Sequence, residues 1–140
     1  MSGRNGFTLV ELVVVVLILG ILAAIAVPKV INNADEAADS GAAQTLASIR
    51  DAVELYKTQT DAGGYPQGTS ATIQTKLKPY IRGTNFPKAK VGLQNSSTIK
   101  IDAALAVGGT EGWVYDPATG DIILNSDVLT LDGVTKYSEL

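Results

Sequence analysis

The chain opens with MSGRNGFTLVELVVVVLILGILAAIAVPKV, residues 1–30, in which a short polar segment ending at Gly6 precedes a long apolar run. Glu11 is the only charged residue of this run before Lys29. As an α-helix that rises about 1.5 Å per residue, Phe7 to Pro28 would measure roughly 33 Å. A bilayer core is about 30 Å thick, so this segment is long enough to cross a membrane.

Glu11 is the feature of this run that needs a physical reason, because an unpaired carboxylate at membrane depth costs several kcal/mol. A secretory signal peptide with Arg4 as its charged region would end after Ala24-Ile25-Ala26, and it leaves Glu11 without a role. A simple single-pass anchor has the same defect. A core helix of a soluble domain fits less well, because the run is too long and too uniformly apolar. We therefore expect Glu11 to have a partner.

The residues GFTLVE at positions 6–11, followed by an aliphatic run with Gly20 and Pro28, closely resemble the type IV prepilin signal. That family includes type IV pilins and the pseudopilins of type II secretion. The resemblance implies that a prepilin peptidase cleaves between Gly6 and Phe7 and methylates the new Phe7 amine. Glu11 would then meet the Phe7 amine of a neighbouring subunit. In a low-dielectric filament core these two charges would neutralise each other and set the axial register between subunits.

Composition excludes several classes of function. The chain contains no Cys and no His, which removes thiol nucleophiles, disulfides, imidazole bases and the usual zinc ligands. Many type IVa pilins close a C-terminal loop with a disulfide, so the lack of Cys favours a major pseudopilin. The net charge is −3, and loss of Arg4 with the leader would make it −4. No nucleic-acid partner is expected of such a chain.

We predict four segments along the chain. Residues 1–6 form a leader peptide, residues 7–28 the apolar transmembrane and filament-core helix, residues 29–60 the amphipathic half of the same helix, and residues 61–140 the head. Pro28 cannot donate a hydrogen bond to the Ala24 carbonyl, so the helix can kink or open there without ending. Gly20 suits either close packing between helices or local melting.

The amphipathic half predicts two kinds of contact. From Lys29 onward, apolar residues recur three or four positions apart and share one helix face. They are Ile31, Ala34, Ala38, Ala42, Leu46, Ile49, Val53 and Tyr56. The small residues of the first part predict contact within a filament, and the larger ones predict a core beneath a sheet. The helix should continue to about Thr58 and stop at Asp61–Pro66, which contains two glycines and a proline.

The head is predicted to contain one short helix, a basic loop and a sheet. The helix covers about Ala71 to Leu77, and a loop extends through Asn95. The strands are Thr98–Asp102, Gly112–Tyr115 and Ile122–Leu124, with a further edge strand possible over Val128–Tyr137. Trp113 and Tyr115 alternate onto one face and should form the head core. The fold class is α+β and pilin-like, with a long N-terminal helix packed against a small antiparallel sheet.

Acidic residues recur near the end of the chain, at Asp116, Asp121, Asp127 and Asp132. Major pseudopilins are known as a class for a calcium site in this part of the fold, and calcium takes about 6 to 8 oxygen ligands. The spacing here matches no EF-hand loop, and solvated turn aspartates are the alternative. Calcium is therefore an open expectation, with no metal ligand assigned and no other cofactor expected.

The sequence thus predicts a structural subunit of a type IV pilus-like filament, most simply a pseudopilin of a type II secretion system that drives protein export. A type IV pilus subunit for adhesion, motility or DNA uptake is the main alternative, and a membrane-tethered ligand-binding head is the other. We expect no enzyme, because no nucleophile–base spacing stands above chance. The expected partners are other copies of the chain, the prepilin peptidase, an inner-membrane assembly platform and membrane lipid. The expected location is the bacterial inner membrane, with a single span and the head in the periplasm or outside the cell.

Overall fold

A computed structural model describes residues 6–59, 63–91 and 94–140, and the side chains of all of these except residues 27–35. The predicted leader therefore lies outside the described residues except for Gly6. The chain forms two compact units, Met1–Glu36 and Ala37–Leu140.

Helix α1 spans Leu9–Gln59, 51 residues, and includes both Gly20 and Pro28 without interruption. Its end confirms the predicted stop near Thr58. Asp61 and Ala62, which belong to the predicted stop signal, lie outside the described residues. Gly63 follows with φ of +64°, a left-handed conformation that glycine adopts without steric penalty.

The first unit is dominated by the apolar part of α1. Leu9–Ala26 has a mean hydropathy of 3.1, and none of it is buried. By length and composition this segment could cross a membrane. Its large aliphatic side chains are exposed on every side of the helix, so nothing within the described chain shields them from the surroundings.

The second unit contains helix α2, Ser70–Leu77, which continues into a 3-10 turn at Lys78–Tyr80. The Thr69 hydroxyl caps α2 by accepting a hydrogen bond from the Thr72 amide. Ile73 and Leu77, four residues apart on one face, are the buried residues of this helix. The short helix predicted over Ala71 to Leu77 is confirmed.

Five short strands make two sheets. They are β1 Ala89–Val91, β2 Gln94–Ser96, β3 Ile99–Ile101, β4 Trp113–Tyr115 and β5 Ile122–Leu124. Strands β1 and β2 pair antiparallel, as do β4 and β5, with Trp113 opposite Leu124. Strand β3 lies parallel to β4, with Ile99 opposite Trp113. The three predicted strands and the α+β class are confirmed.

Three details of the prediction need correction. The sheet is mixed rather than antiparallel, because residues 102–112 carry the chain back to the starting end of β3, as a parallel pair requires. The stretch through Asn95 was predicted as loop but contains the β1–β2 hairpin. In place of an edge strand over Val128–Tyr137, the structure has one bridge between Leu129 and Lys136 and a 3-10 turn at Tyr137–Glu139.

The second part of α1 supplies one wall of the head core. Leu46, Ile49, Val53 and Tyr56 are buried, and they share a single hydrophobic cluster with residues of β3, β4 and β5. Burial of each such side chain stabilises the fold by about 1.5–3 kcal/mol. Arg50 adds two polar ties, donating to the carbonyl oxygens of Ile122 at 3.3 Å and Leu140 at 3.0 Å.

Candidate functional site: the N-terminal processing segment

Gly6 and Phe7, the residues of the predicted cleavage bond, precede the first turn of α1. Both are exposed, and Phe7 retains 75% of its accessible surface. An added Cβ on Gly6 would meet no atom within 4 Å. Among the described residues, the peptide bond between Gly6 and Phe7 is therefore accessible from solvent.

Glu11 belongs to a reciprocal cap at the start of the helix. Its Oε2 accepts hydrogen bonds from the Thr8 amide at 2.9 Å and the Thr8 hydroxyl at 2.8 Å. In return, the Glu11 amide donates to the Thr8 hydroxyl oxygen at 3.2 Å. The Thr8 carbonyl accepts the Leu12 amide at 3.2 Å, the first bond of the helical ladder. This is a capping box, with Thr8 at the N-cap and Glu11 at the third helical position.

The capping box gives Glu11 a partner within its own chain, which the sequence analysis did not foresee. The signal was available as Thr8-Leu9-Val10-Glu11, the T-x-x-E pattern that precedes an apolar run. A carboxylate near a helix N-terminus is also favoured by the helix dipole. Glu11 therefore has a structural role in one subunit, beside any contact that it makes with another.

Gly20 and Pro28 are both placed within α1. A Cβ added to Gly20 would meet no atom within 4 Å, so no contact among the described residues requires a glycine there. The backbone at Pro28 is helical, and its side chain is outside the described set. The structure thus does not bring Gly20 into contact with Phe7 or Glu11.

Trp113 and Tyr115 are fully buried in the head. The Trp113 indole donates from Nε1 to the Pro87 carbonyl oxygen at 3.0 Å, which ties β4 to the segment before β1. Burial raises the pKa of Tyr115 well above its ordinary value of 10.0. Its hydroxyl has no hydrogen-bond partner among the described residues. These contacts give the two aromatic residues a place in the core.

Three of the four C-terminal aspartates, Asp116, Asp127 and Asp132, make local contacts through their side chains. Asp116 accepts from the Ala118 amide and the Thr119 hydroxyl, and Asp127 lies 3.6 Å from the Lys136 ammonium. Asp132 accepts four hydrogen bonds, and those from Thr135 and Val134 contribute most to holding its pKa well below the usual range. Among the described residues no three acidic side chains group together. A calcium ion here would therefore need carbonyl or water oxygens among its ligands.

Comparison with known proteins shows what the chain, and its N-terminal segment in particular, is similar to. A family described as "Prokaryotic N-terminal methylation motif" matches residues 1–27. The type II secretion system core protein G of Klebsiella pneumoniae is 34% identical over 92 residues, which cover 63% of each chain. Its counterpart in Pseudomonas aeruginosa is 42% identical over 74 residues, or 51% of each chain. The Vibrio cholerae protein of the same name is 37% identical over 85 residues, covering 59% of this chain and 57% of its own.

The chain thus spans between half and two thirds of the length of the curated relatives that it matches. No solved structure matches it. The methylation motif includes Gly6, Phe7, Thr8 and Glu11, the residues of the cleavage bond and the capping box. These matches confirm the resemblance to the type IV pilin and type II secretion pseudopilin family that the N-terminal residues indicate.

Proposed function

We propose that this protein is a structural subunit of a type IV pilus-like filament, and specifically a pseudopilin of a type II secretion system that drives protein export. The observation that carries the proposal is the methylation motif on a capped helix whose apolar segment, Leu9–Ala26, is wholly exposed. Roughly 25 cal/mol per Å² of apolar surface favours covering such a segment. Lipid covers it before assembly, and neighbouring helices cover it in the filament.

The location and partners follow from the same segment. The chain sits in the bacterial inner membrane with one span, the leader on the cytoplasmic side and the head in the periplasm. A prepilin peptidase releases the leader, and an inner-membrane platform adds the subunit to a filament of pseudopilins. The protein acts as a building block and not as an enzyme. The name that the relatives share favours secretion over a pilus for adhesion, motility or DNA uptake.

Processing leaves the capping box unchanged, because all of its atoms belong to Thr8 and Glu11. Cleavage between Gly6 and Phe7 would place a new α-ammonium group on Phe7, four residues before Glu11 in the same chain. The cap then holds the carboxylate at the first helical turn. The charge of the Glu11 carboxylate remains available to attract the methylated Phe7 amine of a neighbouring subunit. This attraction sets the axial register between the two subunits.

The experiment that tests this function is the intact mass and N-terminal sequence of the full chain recovered from membranes, with and without a prepilin peptidase. We expect a chain that starts at methylated Phe7 only when the peptidase is present. A start at Val27, after Ala26, would show signal-peptide cleavage and contradict the proposal. Glu11→Ala should be processed normally but fail to assemble, whereas Glu11→Asp keeps the charge and should assemble in part.

Calcium binding by the head stays a prediction. A calcium ion near the C-terminal aspartates would have to replace hydrogen bonds that Asp132 accepts from Thr130 and Thr135. If it binds, millimolar calcium should raise the unfolding midpoint of the full chain in detergent, and an equal concentration of magnesium should not. In the variant Asp132→Asn, calcium and magnesium should have the same effect on the unfolding midpoint.

A further inference from the structure

Four large apolar side chains are exposed on the loop between β5 and the C-terminal 3-10 turn. They are Val128, Leu129, Leu131 and Val134, with 49%, 46%, 50% and 80% of their surfaces accessible. We call these four residues the C-terminal knob. Isolated exposed apolar residues are ordinary, but four within seven positions form a patch of the kind found at interaction sites.

The knob is held in place by hydrogen bonds. The Asp132 carboxylate accepts from the Thr130 and Thr135 hydroxyls, and the Thr130 amide donates to the Thr135 carbonyl oxygen at 2.8 Å. Asp39 of α1 fastens the loop to the helix, accepting the Leu131 amide at 2.6 Å and the Tyr137 hydroxyl. A loop ordered before binding loses little conformational entropy when it docks.

A groove of about 440 Å³ lies on another flank of the same helix region. Ala38, Gly41, Ala42 and Thr45 form its floor, and Lys88 and Lys90 stand on its opposite wall. The floor residues are three or four positions apart, so they share one helix face. Asp39 is turned about 100° around the helix from Ala38, so the knob and the groove face different directions.

This placement prevents a knob from filling the groove of its own chain, but it suits a second copy. The knob is apolar and the groove floor is built of small residues that admit close approach. The charges also match. The loop of the knob carries Asp127 and Asp132 against the single Lys136, whereas the groove wall carries Lys88 and Lys90. Opposite charges at the rim of such a contact favour the correct orientation.

We propose that the C-terminal knob of one subunit docks into the Ala38–Thr45 groove of a second copy of this chain. The proposal rests on the filament function given above and names the surface through which adjacent heads meet. Because two different surfaces of the molecule are used, the contact is heterologous. Repetition of a heterologous contact that does not close into a ring generates a helical assembly.

Disulfide cross-linking tests the contact directly, since the chain contains no native cysteine. The double variant Val134→Cys with Ala38→Cys, expressed as the full chain with its prepilin peptidase, should give a ladder of oligomers upon oxidation. A mixture of the two single variants should stop at dimers. The matched control is Ala118→Cys with Ala38→Cys, because Ala118 is also exposed but lies in the turn between β4 and β5. This control should give no ladder. Lys88→Gln with Lys90→Gln should weaken the ladder several-fold at low salt.

Three results would overturn the proposal. Dimers formed by Val134→Cys alone would mean that two knobs meet each other. Filaments that form without a ladder would refute this contact while leaving the filament function intact. If the unsubstituted chain is neither cleaved before Phe7 nor assembled, both the function and the contact fail. As a second measurement, Leu131→Ser with Val134→Ser should reduce filament yield several-fold, whereas Ile101→Ser, an exposed apolar residue outside the knob, should not.

Discussion

The two ends of helix α1 solve the same physical problem in different ways. Between Leu12 and Ala26 the side chains are apolar on all sides and exposed, whereas between Leu46 and Tyr56 one face is buried against the head. Both stretches gain free energy by removing apolar surface from water. The second does so inside the subunit. The first is exposed in the described chain and, in the proposed function, would be covered by lipid or by other subunits, so only the second contributes to the stability of an isolated chain.

The largest difference between the two ends is expected in the free energy of unfolding when one leucine in each end is replaced by alanine. Leu46→Ala should lower the free energy of unfolding of the head by about 2–5 kcal/mol, because Leu46 is only 1% exposed and its removal leaves a cavity. Leu19 is 58% exposed, so Leu19→Ala should leave the free energy of unfolding of the head unchanged. Fluorescence of Trp113, the single tryptophan, reports urea unfolding of the full chain in detergent. Equal losses in the two variants would mean that the apolar end also packs within the subunit.

Two glycines provide the next contrast. A Cβ on Gly112 would overlap the Ser96 carbonyl oxygen, a backbone atom that cannot move aside easily. Gly112→Ala should therefore destabilise the head by about 1–3 kcal/mol in the same unfolding measurement. Gly20→Ala meets open space in the single chain and should leave the head unaffected. If Gly20 serves close packing between helices, that variant should instead reduce filament yield.

The capping box predicts a smaller, local effect. Thr8→Ala removes the hydroxyl that bonds both the Glu11 carboxylate and the Glu11 amide, and should cost about 1 kcal/mol of helix stability at the N-terminus. Hydrogen exchange at the Val10 and Glu11 amides should then accelerate about five-fold, while the head amides keep their protection. Thr8→Ser retains the hydroxyl and is the control. Unchanged exchange in Thr8→Ala would show that the cap contributes nothing to the helix.

The smallest effect is a pH dependence confined to the head. The pKa of Asp132 lies below its ordinary value of 3.8 in the folded chain, because the Thr135 hydroxyl and the Val134 amide stabilise its charged form. A depressed folded pKa contributes stability that is present above the unfolded value and lost as pH falls further. Between about pH 4 and pH 2, the wild-type head should therefore lose more stability than Asp132→Asn. Asp121→Asn, at an exposed turn position, serves as the control. Equal acid sensitivity in the wild type and Asp132→Asn would contradict this role.

Local patterns were sufficient for much of this fold. The 51-residue helix was predictable because its apolar end is uninterrupted and its other end repeats every three or four residues. Strand β5 and helix α2 were found where their local sequence patterns predicted them. Strands β1 and β2 were missed. The β2 residues Gln94-Asn95-Ser96 have no strand propensity of their own, and they form a strand only because they pair with β1.

The residues of the processing segment were recognisable from sequence because their chemistry is local. The predicted cleavage bond and the apolar segment that could cross a membrane both lie within the first 26 residues. The knob was not recognisable. Val128–Val134 has the alternating pattern of an edge strand, and only its tie to Asp39, 92 residues away from Leu131, shows that it is an exposed loop.

By itself, the sequence determined the long helix, its division into an all-apolar and an amphipathic part, and the N-terminal motif, since each depends on interactions between residues a few positions apart. Only the tertiary structure decided the parallel pairing of β3 with β4 and the positions of the knob and groove on different flanks of α1. These features arise from contacts between distant segments, whose free energy depends on how the whole chain packs and leaves no periodic trace in the local sequence.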